Sequence, residues 1–156
     1  MKSPAVSVVI LAAGKGTRMR SERPKVLFEV AGRPMVNHVL EAALGIRPKA
    51  VVVVVGHGAA GVRAAVRGDA SFDAKRVRFA LQREQRGTGH ALRCALPALR
   101  GFRGTVLVLN GDVPLVGTET LRTLADAHRR AGAAAGRCST SSRRRTPTSR
   151  RAPSPR

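Results

Sequence analysis

Polar and apolar positions in this chain are grouped in blocks that switch between two periods. Residues 8–13 (VVILAA) and 50–55 (AVVVVV) are apolar without alternation. Runs of this length rich in β-branched residues predict parallel strands covered on both faces. Residues 77–81 (VRFAL) alternate in part, and residues 105–109 (TVLVL) give a fourth strand. Between the strands the period lengthens. Met35, Val36, Val39, Leu40, Ala43 and Leu44 recur at helical spacing, with Asn37, His38 and Glu41 opposite, Pro34 in the first turn and Gly45 as the stop. Residues 59–66 form a weaker helix, another runs from the glycines Gly87 and Gly89 to about Leu96, and the last covers 119–131, with Leu121, Leu124, Ala125 and His128 on one face and Gly132 after it. A short extended piece is expected at 28–30, and irregular backbone holding Pro24 is expected to carry Lys25 to the end of the first strand.

Strands alternating with helices predict an α/β fold, a Rossmann-like parallel sheet with its ligand crevice at the carboxyl ends of the strands. Every segment with chemical interest falls there. The first strand runs into Gly14-Lys15-Gly16-Thr17-Arg18, where glycines allow close approach to an anion, Lys15 and Arg18 add charge, and Thr17 suits a helix cap. The loop has neither the spacing of a Walker A motif nor the third glycine of a dinucleotide fingerprint. Alone it reads equally as a phosphate site or a plain strand-to-helix turn. Residues 82–88 follow the third strand and Asp112 follows the fourth, so three segments converge, which favours phosphate. Asp112, usually read as a turn former, becomes at that position a magnesium ligand. His57 and Gly58 read as a turn, His38 as a surface residue and Cys94 as a small core residue. No Ser-His-Asp or Cys-His arrangement competes.

Charge changes the picture at one end. The chain has 156 residues and a formal charge of +20. Up to Gly136 there are 22 Lys and Arg against 9 Asp and Glu; residues 137–156 hold 7 Arg, no acid and no large apolar side chain. The reading is therefore a body over 1–136 and a disordered basic tail rich in Arg, Ser, Pro and Thr over 137–156. Positive charge suits any polyanion. A nucleic-acid-binding protein is the rival it supports, but with 4 Phe and no Tyr or Trp the chain lacks stacking residues. Two cysteines without metal or disulfide spacing fit a reduced cytoplasmic setting, and the apolar start is read as a strand, not a signal or membrane segment.

The segments LAAGKGTRM, Pro24-Lys25-Val26-Leu27, Gly32-Arg33-Pro34-Met35, Gly56-His57, QREQRGTGHA and Leu109-Asn110-Gly111-Asp112-Val113-Pro114-Leu115 occur in this order. Over residues 6–132 the chain resembles the bacterial UDP-N-acetylglucosamine pyrophosphorylases, the uridylyltransferase half of the bifunctional enzymes that also acetylate glucosamine 1-phosphate. The resemblance implies transfer of UMP from UTP to N-acetylglucosamine 1-phosphate, with Mg²⁺ as cofactor. It implies that Leu11, Ala12, Ala13 and Gly14 line the uracil and the start of the phosphate path, that Arg18 and Lys25 face the phosphates as catalytic residues, that Gln82, Gly87 and Thr88 read the uracil, and that Asp112 holds the metal. Departures from the family are Asn110 in place of tyrosine and Arg86 in place of leucine, neither at an assigned role. The larger departure begins near Arg137, where the family's glycine-tyrosine-glycine-arginine sugar segment, a glutamate and two asparagines are not found. The expectation is a truncated domain with an out-of-frame tail, weakly active or inactive, that self-associates through open strand edges. Other members of the superfamily, acting on a different sugar phosphate or on the molybdenum cofactor, are the alternative enzymes.

Overall fold

The computed structural model describes residues 5–14 and 23–132. Lys15, Thr17, Arg18 and the tail over 137–156 lie outside the described residues.

Four parallel strands make the sheet: β1 (Val6–Ala12), β4 (Val51–Val55), β5 (Val77–Leu81) and β6 (Thr105–Asn110), in the spatial order β5-β4-β1-β6. A two-residue hairpin, β2 (Glu29–Val30) with β3 (Arg33–Pro34), precedes helix α1 (Met35–Gly45). Helix α2 (Ala59–Arg67) joins β4 to β5, α3 (Gly87–Ala95) joins β5 to β6, and α4 (Thr118–Ala131) closes the described chain.

The unbroken apolar runs are interior strands, as their composition predicts. Val51 to Val55 are each at most 1% exposed, because β1 and β5 pair with both edges of β4 and helices cover both faces. Alternate residues serve two cores. Val8, Ile10, Val53 and Val55 pack with α1, α2 and Leu121 of α4, while Val9, Val52 and Val54 pack with Ala91 and Ala95 of α3. The run in β6 behaves differently. Leu107 and Leu109 are buried, but Val106 is 38% and Val108 42% exposed. Those two lie on the α3 face, and α3 packs chiefly over β1, β4 and β5 and covers β6 little. Composition predicts a strand there but cannot count the helices above it.

Three local expectations are corrected. Gly45 does not end α1 by turning left-handed; it is the last helical residue, and Arg47 has the positive φ of 54°. Its missing side chain instead admits α4, since a Cβ on Gly45 would stand 2.5 Å from Thr118 Oγ1. Pro34 belongs to β3 and caps α1 from outside the first turn. Asn37, expected on the polar side of α1, is 2% exposed and donates from Nδ2 to the Ala65 carbonyl of α2 at 3.1 Å, so the buried stripe is wider than the apolar pattern. His38 is half-buried, its Nε2 2.8 Å from the Val30 carbonyl oxygen.

Candidate functional site

The sheet order changes direction at β1, the strand from which the chain first builds outward to β4 and β5 and then returns to β6. Neighbouring crossovers separate at such a point and leave a crevice beyond the carboxyl ends of the strands. A cleft of about 470 Å³ opens there. Leu11, Ala13 and Gly14 line it from the end of β1, and Lys25 and Val26 from a 3-10 turn. Gln82, Gln85, Gly87, Thr88 and Ala91 come from the β5–α3 connection, and Asn110 and Asp112 from the end of β6.

The strand ends are drawn together by close backbone packing. The Gly111 amide donates to the Leu11 carbonyl at 2.9 Å, and the Gln82 amide to the Val55 carbonyl at 2.8 Å. Gly56 fits because it has no side chain: a Cβ there would lie 3.0 Å from the Ala13 Cβ and from the carbonyl oxygens of Ala13 and Gln82. Gly58 likewise has φ +64° and would drive a Cβ to 2.3 Å from Pro24. Gly56 and Gly58 therefore pack against the strand ends and the Pro24 segment, as the turn reading expects, and neither they nor His57 line the cleft.

One side of the cleft is neutral and buried. Gln82 is 4% exposed, and its Nε2 donates to the Gly87 carbonyl at 3.2 Å and lies 3.1 Å from His90 Nδ1. Gly87 opens α3 with φ +83°, a conformation that favours glycine. Gln85 Nε2 donates to the Ala13 carbonyl at 2.6 Å, tying this connection to β1. The opposite side is charged. Lys25 Nζ donates to Asp112 Oδ2 at 2.8 Å, with the two side chains 45% and 32% exposed. Lys25 begins a 3-10 turn instead of lying in irregular backbone. Among the described residues no three His, Cys, Asp or Glu side chains gather, so a cation here would rest on Asp112, water and the ligand's own oxygens. That donor set fits magnesium, which keeps several waters and takes one or two carboxylates beside substrate phosphates.

The structure brings Leu11, Ala13, Gly14, Lys25, Gln82, Gly87, Thr88 and Asp112 to one cavity. Ala12 is different: it is 1% exposed in the core on the α1 face, so only its backbone can meet a ligand. Arg18 lies outside the described residues. Asn110, read as remote from any role, lines the cleft, as do Gln85, Val26 and Ala91. Asn110 pairs with Leu11 across the ladder, a register visible only in the structure, and paired residues share a face. Arg86 caps α3 from the solvent side, where Glu84 lies 2.5 Å away. Cys94 packs at the edge of the core beneath α3, half-buried, with its Sγ 4.0 Å from His90 Nε2.

Known proteins agree with this architecture. Over 122 residues the chain is 49% identical to the bifunctional protein GlmU of Corynebacterium efficiens, covering 78% of this chain and 25% of that one, so it spans about a quarter of the length of such relatives. Among solved structures it is similar to Rv0371c of Mycobacterium tuberculosis, with TM-score 0.66, 25% identity, and 83% of this chain and 63% of that one covered. The same protein has also been solved as a manganese complex. A nucleotidyl transferase of Methanothermobacter matches with TM-score 0.59 and 26% identity, over 78% of this chain and 57% of that one. The family model of the MobA-like NTP transferase domain matches residues 8–154, beyond the point near Gly136 where likeness was expected to stop. With that match across most of its length and a cleft at the switch point of a parallel sheet, the chain belongs to the MobA-like NTP transferase family.

Proposed function

We propose that the cleft binds UTP with Mg²⁺, and that the reaction it serves is uridylyl transfer to N-acetylglucosamine 1-phosphate, giving UDP-N-acetylglucosamine and pyrophosphate for cell-envelope precursors in the cytoplasm. The observation that carries the reading is the division of one cleft into a buried amide-lined end and a charged end, the two halves a nucleotide needs. Gln82, Gly87 and Thr88 meet the base, and Leu11, Ala13, Gly14 and the Ala12 backbone line its path toward the phosphates. Lys25 and Arg18 face the phosphates, and Asp112 holds the metal.

The acceptor is a phosphate monoester whose second pKa is about 6, so at neutral pH its oxygen attacks the α-phosphorus without a general base. The work left to the chain is alignment and neutralisation of charge. Lys25 stands 2.8 Å from Asp112, so its ammonium exchanges the carboxylate for a phosphate oxygen by a short movement when a triphosphate enters. The Gly14 end of β1 offers backbone to the phosphates. Asp112 would hold Mg²⁺, which would supply further neutralisation of the phosphate charge, in keeping with the manganese complex of the fold neighbour Rv0371c.

Residues 1–136 are proposed as the nucleotide-binding body and 137–156 as a tail outside it, which limited proteolysis reads directly. Self-association is proposed through β6, whose outer edge has no partner strand among the described residues and whose Val106 and Val108 are exposed. Sedimentation of a monomer at all concentrations removes that part. Titration calorimetry with the four triphosphates and Mg²⁺ tests the main reading: tighter UTP binding, dependent on Asp112, supports it, and equal affinity for all four overturns it.

A further inference from the structure

We propose that His90 is a positioning residue that fixes which face of the Gln82 amide the nucleotide base meets, and so sets the choice of uracil over cytosine. The proposal rests on the uridine reading above and adds to it a residue that touches no ligand.

Gln82 presents one amide, with two N–H donors and one carbonyl acceptor. In a nearly buried position an N–H left unpaired is costly, so each donor seeks a partner. Both donors are committed: Nε2 lies 3.2 Å from the Gly87 carbonyl oxygen, which can only accept, and 3.1 Å from His90 Nδ1. A ring nitrogen that receives an N–H must carry no proton, so His90 is the neutral tautomer with its hydrogen on Nε2. That hydrogen faces Cys94 Sγ at 4.0 Å, one helical turn along α3.

Among the described residues nothing donates to Gln82 Oε1, and Gln82 lines the cleft, so the acceptor is what the amide offers a base. Uracil carries a ring N–H to give to it. Cytosine has an unprotonated ring nitrogen at the same place, and two acceptors would then face each other. An amide free to turn over would suit either pyrimidine. His90 acts with the Gly87 carbonyl to oppose the turn: while Nδ1 carries no proton, a reversed amide would set its carbonyl oxygen against two acceptors, the Gly87 oxygen and the imidazole nitrogen.

Binding of UTP and CTP with Mg²⁺ to the full chain, by calorimetry, tests this in wild type, His90→Ala and His90→Asn. The Asn side-chain oxygen takes the place of Nδ1 as acceptor. A preference for UTP of about tenfold or more is expected in wild type, the size of one mispaired buried hydrogen bond. His90→Ala is expected to lower it to about threefold or less, chiefly by tighter CTP binding, with His90→Asn restoring most of it. Retention of the full preference in His90→Ala overturns the role of His90 while leaving the uridine reading intact; no preference in wild type overturns the uridine reading itself. Should His90→Ala fail to fold, ¹⁵N NMR of the wild-type imidazole decides: a bare Nδ1 and protonated Nε2 in the UTP complex support the proposal, and a proton on Nδ1 refutes it.

Discussion

Of the carboxylates that sit against basic side chains in this molecule, Asp69 and Asp112 are built for different purposes. Asp69, after α2, is nearly saturated. It accepts from the Ser71 amide at 2.9 Å and hydroxyl at 2.6 Å, and from Arg33 Nε at 2.6 Å, with its side chain 10% exposed. Burial alone would raise its pKa, but the Ser71 hydrogen bonds and the Arg33 guanidinium outweigh it and hold the carboxyl at about 2. Burial opposes the charge on Arg33 too, yet Asp69 and Glu41 raise its pKa further. The guanidinium also donates to Ser71 and stands 5.8 Å from the centre of the Phe72 ring. This cluster ties the β2–β3 hairpin, turned through the positive φ of Ala31 and Gly32, to the loop after α2. Among the described residues Asp112 receives a single donor, Lys25, on one oxygen, and it lies at a strand end beside a cleft. A carboxylate whose acceptor sites are filled is a clamp; one with a single point-charge partner has capacity left for a ligand.

Exchanging the two roles by mutation tests that contrast. Asp112→Asn is expected to weaken Mg²⁺-dependent UTP binding by about tenfold or more, the scale of a hydrogen bond to a charged group, while leaving the melting temperature nearly unchanged. Asp69→Asn is expected to do the reverse: UTP affinity holds, and the melting temperature falls by roughly 5 °C. Calorimetry and thermal melts on both variants give four numbers, and a shared pattern would dissolve the contrast.

Lys25→Met sharpens the division within the cleft. It is expected to weaken all four triphosphates together, by about tenfold, without changing their order. A selective loss of UTP would place Lys25 at the base and contradict its assignment.

Acid exposes the clamp. The Asp69 carboxyl binds its proton near 3.8 in the unfolded chain but only near 2 in the fold, so protons favour unfolding. Its contribution, about 2 kcal/mol, is complete above pH 3.8 and lost as pH falls toward 2. Urea denaturation between pH 5 and 2 should show this loss in wild type and much less of it in Asp69→Asn.

Salt gives the smallest effect. Raising ionic strength from about 0.1 to about 1 M shortens the screening length from roughly 10 to 3 Å. UTP and CTP are expected to weaken in parallel by a few-fold, since their ratio is set by buried neutral groups. A ratio that follows salt would shift specificity to the charged end.

The sequence carried the fold because its strands and helices have strong and different periods, and because glycines mark the strand ends. Gly56 and Gly111 are legible as turns, though not as the close contacts that join β1, β4 and β6. The exposed half of β6 was not legible, since Val106 and Val108 look like Val52 and Val54 until the reach of α3 is known. At the site, the motifs pointed to Gln82, Gly87, Thr88, Lys25 and Asp112, which the structure places along one cleft. Residues acting through a partner were hidden: His90 has meaning only once its Nδ1 is seen 3.1 Å from Gln82. Asn37 and Arg33 show the same limit, being polar residues whose burial depends on an element far along the chain.

The central claim is that a nucleotide is read by the buried amide end and held by the charged end of one cleft. Calorimetric titration of the 156-residue chain with UTP and CTP, each with and without Mg²⁺, tests it most directly. The account predicts UTP binding at least about tenfold tighter than CTP with Mg²⁺ present, and both weakened when Mg²⁺ is withdrawn. Equal affinities, or UTP binding indifferent to Mg²⁺, would contradict it.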